Sequence, residues 1–147
     1  MSDLYERDFY GWANEQAALL RAGRLSAIDA PNLAAELEDQ MGSVQNELTN
    51  RLGVLLAHLL KWQFQPEQRG NSWLATIREQ RRRVARVLRK NSGLKGELPE
   101  AFADAYGDAV LIASRETGLP DSAFPAECPW LFEQATNDGF WPGGSTP

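Results

Sequence analysis

The sequence predicts an all-α protein: a compact helical bundle built on one long central helix, about residues 30–64, with an aromatic, proline-rich C-terminal wrap. Three observations predict this class. Apolar residues recur every three or four positions over long segments, as they do on one side of a helix. Proline and glycine residues separate these segments. The strict alternation of apolar and polar residues that is typical of half-buried strands does not rise above background.

Size and composition favour a single domain, 1–147. The chain has 147 residues, 43% of them hydrophobic and 24% charged, which is enough to bury a core without metals or disulfides. Cys128 is the only cysteine, so an intrachain disulfide is excluded. The acidic N-terminus does not resemble a signal peptide, and the longest apolar stretch, Leu52–Leu60, is far shorter than the roughly 20 residues of a membrane span. We therefore expect a cytoplasmic protein with no membrane partner.

The first helix is predicted at about 4–22. Asp3 and Glu6 have the spacing of a capping box, and Gly23 is suited to end a helix in a left-handed conformation. The residues between them that share one side at helical spacing are Tyr5, Phe9, Trp12, Ala13, Gln16, Leu19 and Leu20.

The central helix is predicted from the longest periodic run in the chain. Asp29 and Pro31 mark its start, and Pro66 stops it. The apolar residues repeat every eleven positions, or about 3.67 residues per turn, which favours a nearly straight stripe along the helix. We expect this stripe to be the spine of the bundle. Its members are Leu33, Leu37, Met41, Val44, Leu48, Leu52, Leu55 and Leu59.

Further helices are predicted at about 72–90 and 99–117, with a short helix at about 129–136. The residues before Pro99 form a separate turn in this interpretation, because proline is costly inside a helix. The last residues, 142–147, are expected to be flexible. The tail aromatics are expected to pack back on the bundle. These aromatics are Phe124, Trp130, Phe132, Phe140 and Trp141.

Positive charge is concentrated between Arg69 and Lys95. This segment holds nine of the 15 Lys and Arg residues and one acid, Glu79, so its net charge is +8 in a chain whose total is −5. Such segregation indicates that the segment either contacts a partner or pairs with the protein's own acids. The candidate interaction surface consists of Arg69, Arg78, Arg82, Arg83, Arg86, Arg89 and Lys90.

Two uses of these arginines remain open at this point. They lie around more than half of the predicted helix, which favours mixed ion pairing, either with acids of the central and fourth helices or across a subunit interface. Alternatively, the guanidinium groups bind the phosphates of RNA or DNA, while Trp62 or Trp73 stacks on a base. Within the helix, Glu79 and Arg83 have the spacing of an i,i+4 ion pair.

Catalytic motifs are sparse. His58, the only histidine, lies at the edge of the apolar stripe, where it is either a general base or a structural imidazole at a helix–helix seam. Cys128 would be activated if Pro129 began a helix, but an inert, partly buried thiol is the commoner case. Nucleophile-elbow, Walker and dinucleotide motifs are absent from the sequence. We predict no catalytic residues and no cofactor.

Metal ligands are also sparse. One histidine and one cysteine about 70 residues apart do not make a zinc site. Glu100, Asp104 and Asp108 form a row of carboxylates one turn apart, which is one way to hold a cation but is more typical of a solvated face or of a partner for arginines. We predict no metal.

Several segments resemble the bacterial family known as domain of unknown function 29, over about residues 4–141. They are Tyr5, Asp8, Phe9 and Trp12 followed by LLRAGR, then HLLKWQFQPE at 58–67, SWLATIREQRRR at 72–83, and ETGLP…FPAECPW within 116–130. The resemblance implies a compact, all-helical bacterial protein and implies no activity or site residue. The segment NSGLKGELP at 91–99 is richer in glycine and proline than this resemblance leads us to expect.

These observations predict a non-catalytic protein-interaction or oligomerisation module that uses the turn and arginine helix at 69–90, with a homodimer as one form it could take. The alternative is a nucleic-acid-binding protein that uses the same helix. A third reading is an enzyme that uses His58. Apart from the arginine surface, the site candidates are His58, Trp62 and Trp73.

Overall fold

A computed structural model describes residues 3–144 and 146–147. It confirms the all-α class, since the described residues contain helices, 3₁₀ turns and loops but no strand. The helices are α1 (Leu4–Arg7), α2 (Phe9–Arg21), α3 (Ala30–Phe64), α4 (Asn71–Lys90), α5 (Leu98–Thr117) and α6 (Phe132–Ala135). The chain divides into two compact units, Met1–Ser43 (unit 1) and Val44–Pro147 (unit 2). None of the described helices is both long and apolar enough to span a membrane.

The single helix expected at 4–22 is two helices, because Asp8 interrupts it. The backbone of Asp8 has φ −150° and ψ 86°, outside the helical region, and its carboxylate accepts a hydrogen bond from the Gly11 amide at 3.0 Å. Asp8 is therefore the N-cap of α2, and it satisfies an amide that the helix itself leaves without an acceptor.

Unit 1 is held together by polar contacts between α2 and the start of α3. The Trp12 indole donates to an Asp29 carboxylate oxygen at 3.0 Å, and the Asp29 amide donates to the Gln16 side-chain oxygen at 2.7 Å. The Tyr5 hydroxyl donates to Glu36, and its ring packs against Trp12 with centroids 4.7 Å apart. These contacts account for the burial of Trp12 and Gln16, which are the buried residues of α2.

Helix α3 is the predicted long helix with the predicted bounds, but its apolar stripe is buried only in part. From Leu48 onward the stripe residues are buried, as a bundle spine requires. Leu37 and Met41 are instead 68% and 62% exposed, so the spine prediction is wrong for these two residues. The helical period alone predicts which residues share a side and says nothing of whether another element covers that side.

The core of unit 2 lies between the second half of α3, α4, α5 and the C-terminal segment. The aromatic residues of that segment pack on the helices as predicted: Trp141 lies 4.9 Å from Trp62 and Phe124 lies 5.5 Å from Phe64, measured between ring centroids. The core residues include Leu52, Leu55, Leu56, Leu59, Leu60, Ile77, Val84, Ala105, Ala109 and Ala113.

Helix ends in unit 2 follow the predicted signals with one difference. A 3₁₀ turn at Ser92–Glu97 precedes α5, and Gly118, with φ 78°, ends α5 in the left-handed conformation that glycine adopts without strain. The short C-terminal helix begins at Phe132 rather than near Pro129. Pro142 is buried and begins a turn at Pro142–Gly144, within the tail expected to be flexible, and Ser145 lies outside the described residues.

Candidate interaction surface on helix α4

Helix α4 has one apolar side and one basic side. Successive residues turn by about 100° around a helix axis, so Arg78, Arg82 and Arg89 lie within about 40° of one another. Every member of the basic side is exposed. The opposite side, which is buried, contains Ile77, Gln80, Arg81, Val84 and Val87. We call the exposed residues the basic face: Arg78, Arg82, Arg83, Arg86, Arg89 and Lys90.

Most of the basic face has no counter-ion among the residues that the structure describes. Arg83 contacts Glu79 at 2.8 Å, which is the predicted i,i+4 pair. Among residues 3–144 and 146–147, no other member of the face lies within ion-pair distance of a carboxylate. The expected pairing with acids of the central and fourth helices is therefore not found in the described part of the chain.

Arg81 is the one arginine of α4 that points into the protein. It is 2% exposed, and its guanidinium group donates to the main-chain carbonyl oxygens of Ala135 at 2.9 Å and Phe140 at 2.7 Å, with a longer contact of 3.5 Å to Asp138. The same group lies 5.1 Å from the centre of the Trp141 ring. Burial lowers the pKa of Arg81, while the nearby Asp138 carboxylate raises it. Arg81 thus holds the C-terminal segment against α4.

Arg69 belongs to the turn after α3 rather than to the basic face. Its Nε donates to the Trp62 carbonyl at 2.6 Å, and its guanidinium carbon lies 5.0 Å from the centre of the Trp62 ring. The side chain is half-buried. These contacts give Arg69 a structural role at this turn.

The two tryptophans considered for base stacking are already in contact with other groups. Trp62 is 4% exposed and packs against Trp141. Trp73 is partly buried, and the Lys61 ammonium lies 4.8 Å from the centre of its ring. A nucleobase needs an open ring face to stack. Trp62 does not offer an open ring face, and a nucleobase on Trp73 would compete with the Lys61 ammonium for the ring.

An ion pair between a buried lysine and a partly exposed glutamate connects α3 to α5. The Lys61 ammonium donates to a Glu116 carboxylate oxygen at 2.6 Å, with the Lys61 side chain 6% exposed and that of Glu116 39% exposed. The hydrogen bond from Lys61 lowers the pKa of Glu116, against a smaller opposing effect of burial. A buried ammonium is costly unless it is paired and hydrogen-bonded, which Glu116 provides.

His58 lies beside this pair and is bound to its own helix. Its Nδ1 is 2.9 Å from the Val54 carbonyl oxygen, and because a carbonyl only accepts, Nδ1 carries the proton. Burial is the largest effect on the ring and lowers the pKa of His58, and the Lys61 charge acts in the same direction. The Val54 carbonyl and Glu116 raise the pKa by less. The ring is therefore a neutral imidazole near pH 7, with Nε2 as an acceptor.

The remaining chemical candidates have no reactive arrangement. Burial raises the pKa of the Cys128 thiol, against a smaller opposing effect of a hydrogen bond with the Trp130 backbone. The helix after Cys128 begins at Phe132 and not at Pro129, so the thiol does not lie at a helix start that would favour the thiolate. Glu100 and Asp104 line an open groove of about 360 Å³ with Gln45 and Thr49. Within the described residues, no group of three or more His, Cys, Asp or Glu side chains is placed to hold a metal ion.

Sequence reasoning missed Lys61, Arg81 and Glu116. Arg81 could have been found from helical phase, because it lies between Ile77 and Val84 on the apolar side of α4. Lys61 lies between Leu60 and Trp62, within the apolar end of α3. Glu116 carries no local signal, since its role depends on how α5 packs on α3.

Comparison with curated proteins and with solved structures gives no match. The family model described as "Domain of unknown function DUF29" matches residues 4–141, nearly the whole chain. The residues that tie unit 2 together, His58 to Trp62, Trp73, Arg81 and Glu116, all lie inside the matched region. The chain therefore belongs to the DUF29 family.

Proposed function

We propose that this chain is a non-catalytic protein-interaction module whose contact surface is the basic face of α4, and that its partner presents an acidic surface. One observation carries the proposal: Arg78, Arg82, Arg86, Arg89 and Lys90 are exposed on one side of a single helix without an ion-pair partner among the described residues. From Arg78 to Lys90 the face extends about 18 Å along the helix axis.

The arrangement of these charges is unfavourable in the isolated protein. Arg78, Arg82, Arg86 and Lys90 follow one another at i,i+4 spacing, so each neighbouring pair of like charges destabilises the helix by a few tenths of a kcal/mol. An acidic partner would remove this repulsion on binding. Guanidinium groups suit this role, because each can contact a carboxylate through two parallel hydrogen bonds.

An acidic protein is favoured over single-stranded nucleic acid as the partner because the basic face carries no aromatic ring for base stacking. Single-stranded nucleic acid is usually held by base stacking as well as by phosphate contacts. Neither Trp62 nor Trp73 lies in the basic face, and Trp62 is buried.

Charge neutralisation tests the proposal. A fluorescein-labelled, glutamate-rich helical peptide and duplex and single-stranded oligonucleotides of equal charge would be titrated with the protein, and binding followed by fluorescence anisotropy at low and physiological salt. We expect the double variant Arg82→Gln/Arg86→Gln to raise the peptide Kd about tenfold. The matched control is Arg21→Gln/Arg24→Gln, which removes the same charge from exposed residues of unit 1 and should leave the Kd unchanged.

The other outcomes are informative as well. If the oligonucleotides bind more tightly than the peptide and depend on Arg82 and Arg86, the chain is a nucleic-acid-binding protein and the proposal is wrong. If neither probe binds at low salt, the basic face is not a contact surface. Light scattering adds the oligomeric state: a mass above the 16.4 kDa of one chain that the same double variant returns to 16.4 kDa would make a second copy the partner.

A further inference from the structure

The uncovered part of the α3 stripe is a second surface, separate from the basic face. Leu37 and Met41 lie one turn apart and are 68% and 62% exposed. Ala30 and Ala34, which are also exposed, lie on the same side of the helix. Two large apolar side chains and two small ones thus form an open strip about three turns long, at a spacing that matches one side of a partner helix.

None of the other described elements of unit 1 covers this strip. The contacts from Tyr5 and Trp12 reach α3 at Glu36 and Asp29. Glu36 lies about 100° around the helix axis from Leu37. Helix α2 therefore packs on a neighbouring side of α3 and leaves Leu37 and Met41 open.

The charge around the strip is uniformly negative along α3. Residues 30–50 contain four acids, Glu36, Glu38, Asp39 and Glu47, and no lysine or arginine. Unit 1 as a whole has eight acidic and three basic side chains, a net charge of −5, which equals the charge of the entire chain. Unit 2 is therefore neutral overall. The negative charge of the protein is thus concentrated in the unit that exposes the apolar strip.

We propose that the strip at Leu37 and Met41 binds an amphipathic helix of a different protein, with apolar residues at i, i+3 or i+4, and i+7, and lysine or arginine on both sides of them. The apolar side chains of such a helix bury Leu37 and Met41, and its flanking cations lie near Glu36 and Glu38, which are about 100° to either side of Leu37 around the helix axis. A groove or strip of this kind is a common way to recognise amphipathic helices.

Charge decides against the two other occupants of an apolar helix face. A second copy of unit 1 would bring two surfaces of net charge −5 together, and like charges placed opposite each other are unfavourable at interfaces. An anionic membrane surface attracts basic amphipathic helices and repels acidic ones. The basic helix is the occupant that gains from both the apolar strip and the acids beside it.

A designed peptide tests this inference on the full chain. The probe is a labelled helical peptide of about four turns, made of leucine at helical spacing on one side and lysine elsewhere. Two control peptides have the same composition with scrambled leucines, and the same pattern with glutamate in place of lysine. We expect the probe to bind and both controls to bind at least about tenfold more weakly.

Variants of the protein locate the binding site. Leu37→Gln/Met41→Gln replaces the two side chains with a good helix former and should raise the probe Kd at least about tenfold. The matched control is Leu111→Gln, which makes the same change at a residue that is 59% exposed on α5 and should leave binding unchanged. Circular dichroism of each variant shows whether α3 remains helical.

Three results would overturn the inference. The first is a probe whose binding does not depend on the strip: the scrambled peptide binds as tightly as the probe, or Leu37→Gln/Met41→Gln leaves the probe Kd unchanged. The second is self-association, detected by light scattering, that Leu37→Gln/Met41→Gln abolishes, since the occupant is then a second copy. The third is sedimentation with phosphatidylglycerol vesicles that requires Leu37 and Met41. None of these results depends on the basic face, so the inference and the proposed function fail separately.

Discussion

The Arg81 guanidinium carbon lies 5.1 Å from the centre of the Trp141 ring, 60 positions later in the chain. The same group donates to main-chain carbonyls on both sides of the loop that precedes Trp141, at Ala135 and Phe140. The Arg81 side chain thus supplies donors for carbonyl groups of the C-terminal segment, which has no long helix to supply them. Since unpaired carbonyls are costly when buried, this contact explains how a segment without long helices packs in the core.

Replacing Arg81 by lysine should destabilise the protein. The planar guanidinium group of Arg81 donates to two carbonyl oxygens from separate nitrogen atoms. A lysine has a single nitrogen at its end, so at least one of these buried carbonyls loses its donor. We expect a loss of about 2 kcal/mol in the free energy of unfolding, measured by urea denaturation. The control is Arg82→Lys, one residue further on the exposed side, which should change the free energy by less than about 0.5 kcal/mol. Equal effects of the two substitutions would contradict the structural role of Arg81.

The division between Arg81 and its neighbours shows which parts of the site could be predicted. Helical phase predicts that α4 has a basic and an apolar side, because side-chain direction is a local property of a helix. Arg78, Arg82, Arg86, Arg89 and Lys90 have no counter-ion among the described residues, which could not be predicted because it depends on where the acids of other helices lie in space. The contact of Arg81 with Phe140 joins residues 59 positions apart and leaves no local signal.

Stability at acid pH should depend on Glu116. The hydrogen bond from Lys61 holds the pKa of Glu116 below its usual 4.5, so the unfolded chain binds a proton more readily than the folded one. The stabilisation is therefore present above pH 4.5 and is lost as the pH falls through the lower, folded pKa. Glu116→Gln should lose about 1 kcal/mol at neutral pH, a modest amount because solvent screens the partly exposed carboxylate.

The pH profile distinguishes this effect from simple loss of packing. Unfolding free energies of wild type and Glu116→Gln would be compared at neutral pH and at several values below 4.5. The difference between the two proteins should shrink as the pH falls, since wild type loses the charge that the variant never had. A difference that stays constant over this range would rule out the ion pair as its source.

The protein should lose stability through His58 as the pH falls below 6.5, the ordinary pKa of the imidazole. Burial lowers the pKa of His58 below its ordinary 6.5, so in this range the unfolded chain takes up a proton that the folded chain resists. Stability is complete above pH 6.5 and decreases as the pH falls through the folded pKa. No other histidine is present to contribute in this range.

His58→Asn is the variant that isolates the titration. The asparagine amide can still donate to the Val54 carbonyl, but it does not titrate. Its free energy of unfolding should therefore change less than that of wild type from about pH 7.5 to 5.5. Parallel pH profiles for the two proteins would show that the imidazole is not held neutral by the fold.

The bounds of the long helix could be predicted from the sequence, but which part of its apolar side is buried could not. The bounds of α3 follow from apolar period and the prolines at either end, both of which are local. The exposure of Leu37 and Met41 is not local, because the same stripe is buried from Leu48 onward by α4, α5 and the C-terminal segment. The break at Asp8 does have a local signal, because aspartate is a common N-cap residue and its side chain here accepts from the Gly11 amide. The helical spacing of apolar residues continues across Asp8, however, and therefore favours a single helix.

The glycines inside α3 should be replaceable with a gain in stability. Apart from the neighbouring residues and the backbone of α3 itself, no described atom lies within 4 Å of a methyl group placed at Gly42. A methyl group placed at Gly53 would meet Ala105 and Asp108 at an ordinary 3.7 Å. Alanine in a helix interior is more favourable than glycine by about 1 kcal/mol, chiefly because the unfolded chain is less flexible. We expect Gly42→Ala and Gly53→Ala each to raise the unfolding free energy by about 0.5–1 kcal/mol in urea denaturation.

Gly118→Ala is the control with the opposite sign. The backbone φ of 78° at Gly118 strains any residue with a Cβ atom, so this substitution should lower the unfolding free energy by about 1 kcal/mol. If Gly53→Ala instead lowers the stability, α3 and α5 must lie closer together at Gly53 than the 3.7 Å contacts of the added methyl group with Ala105 and Asp108 indicate.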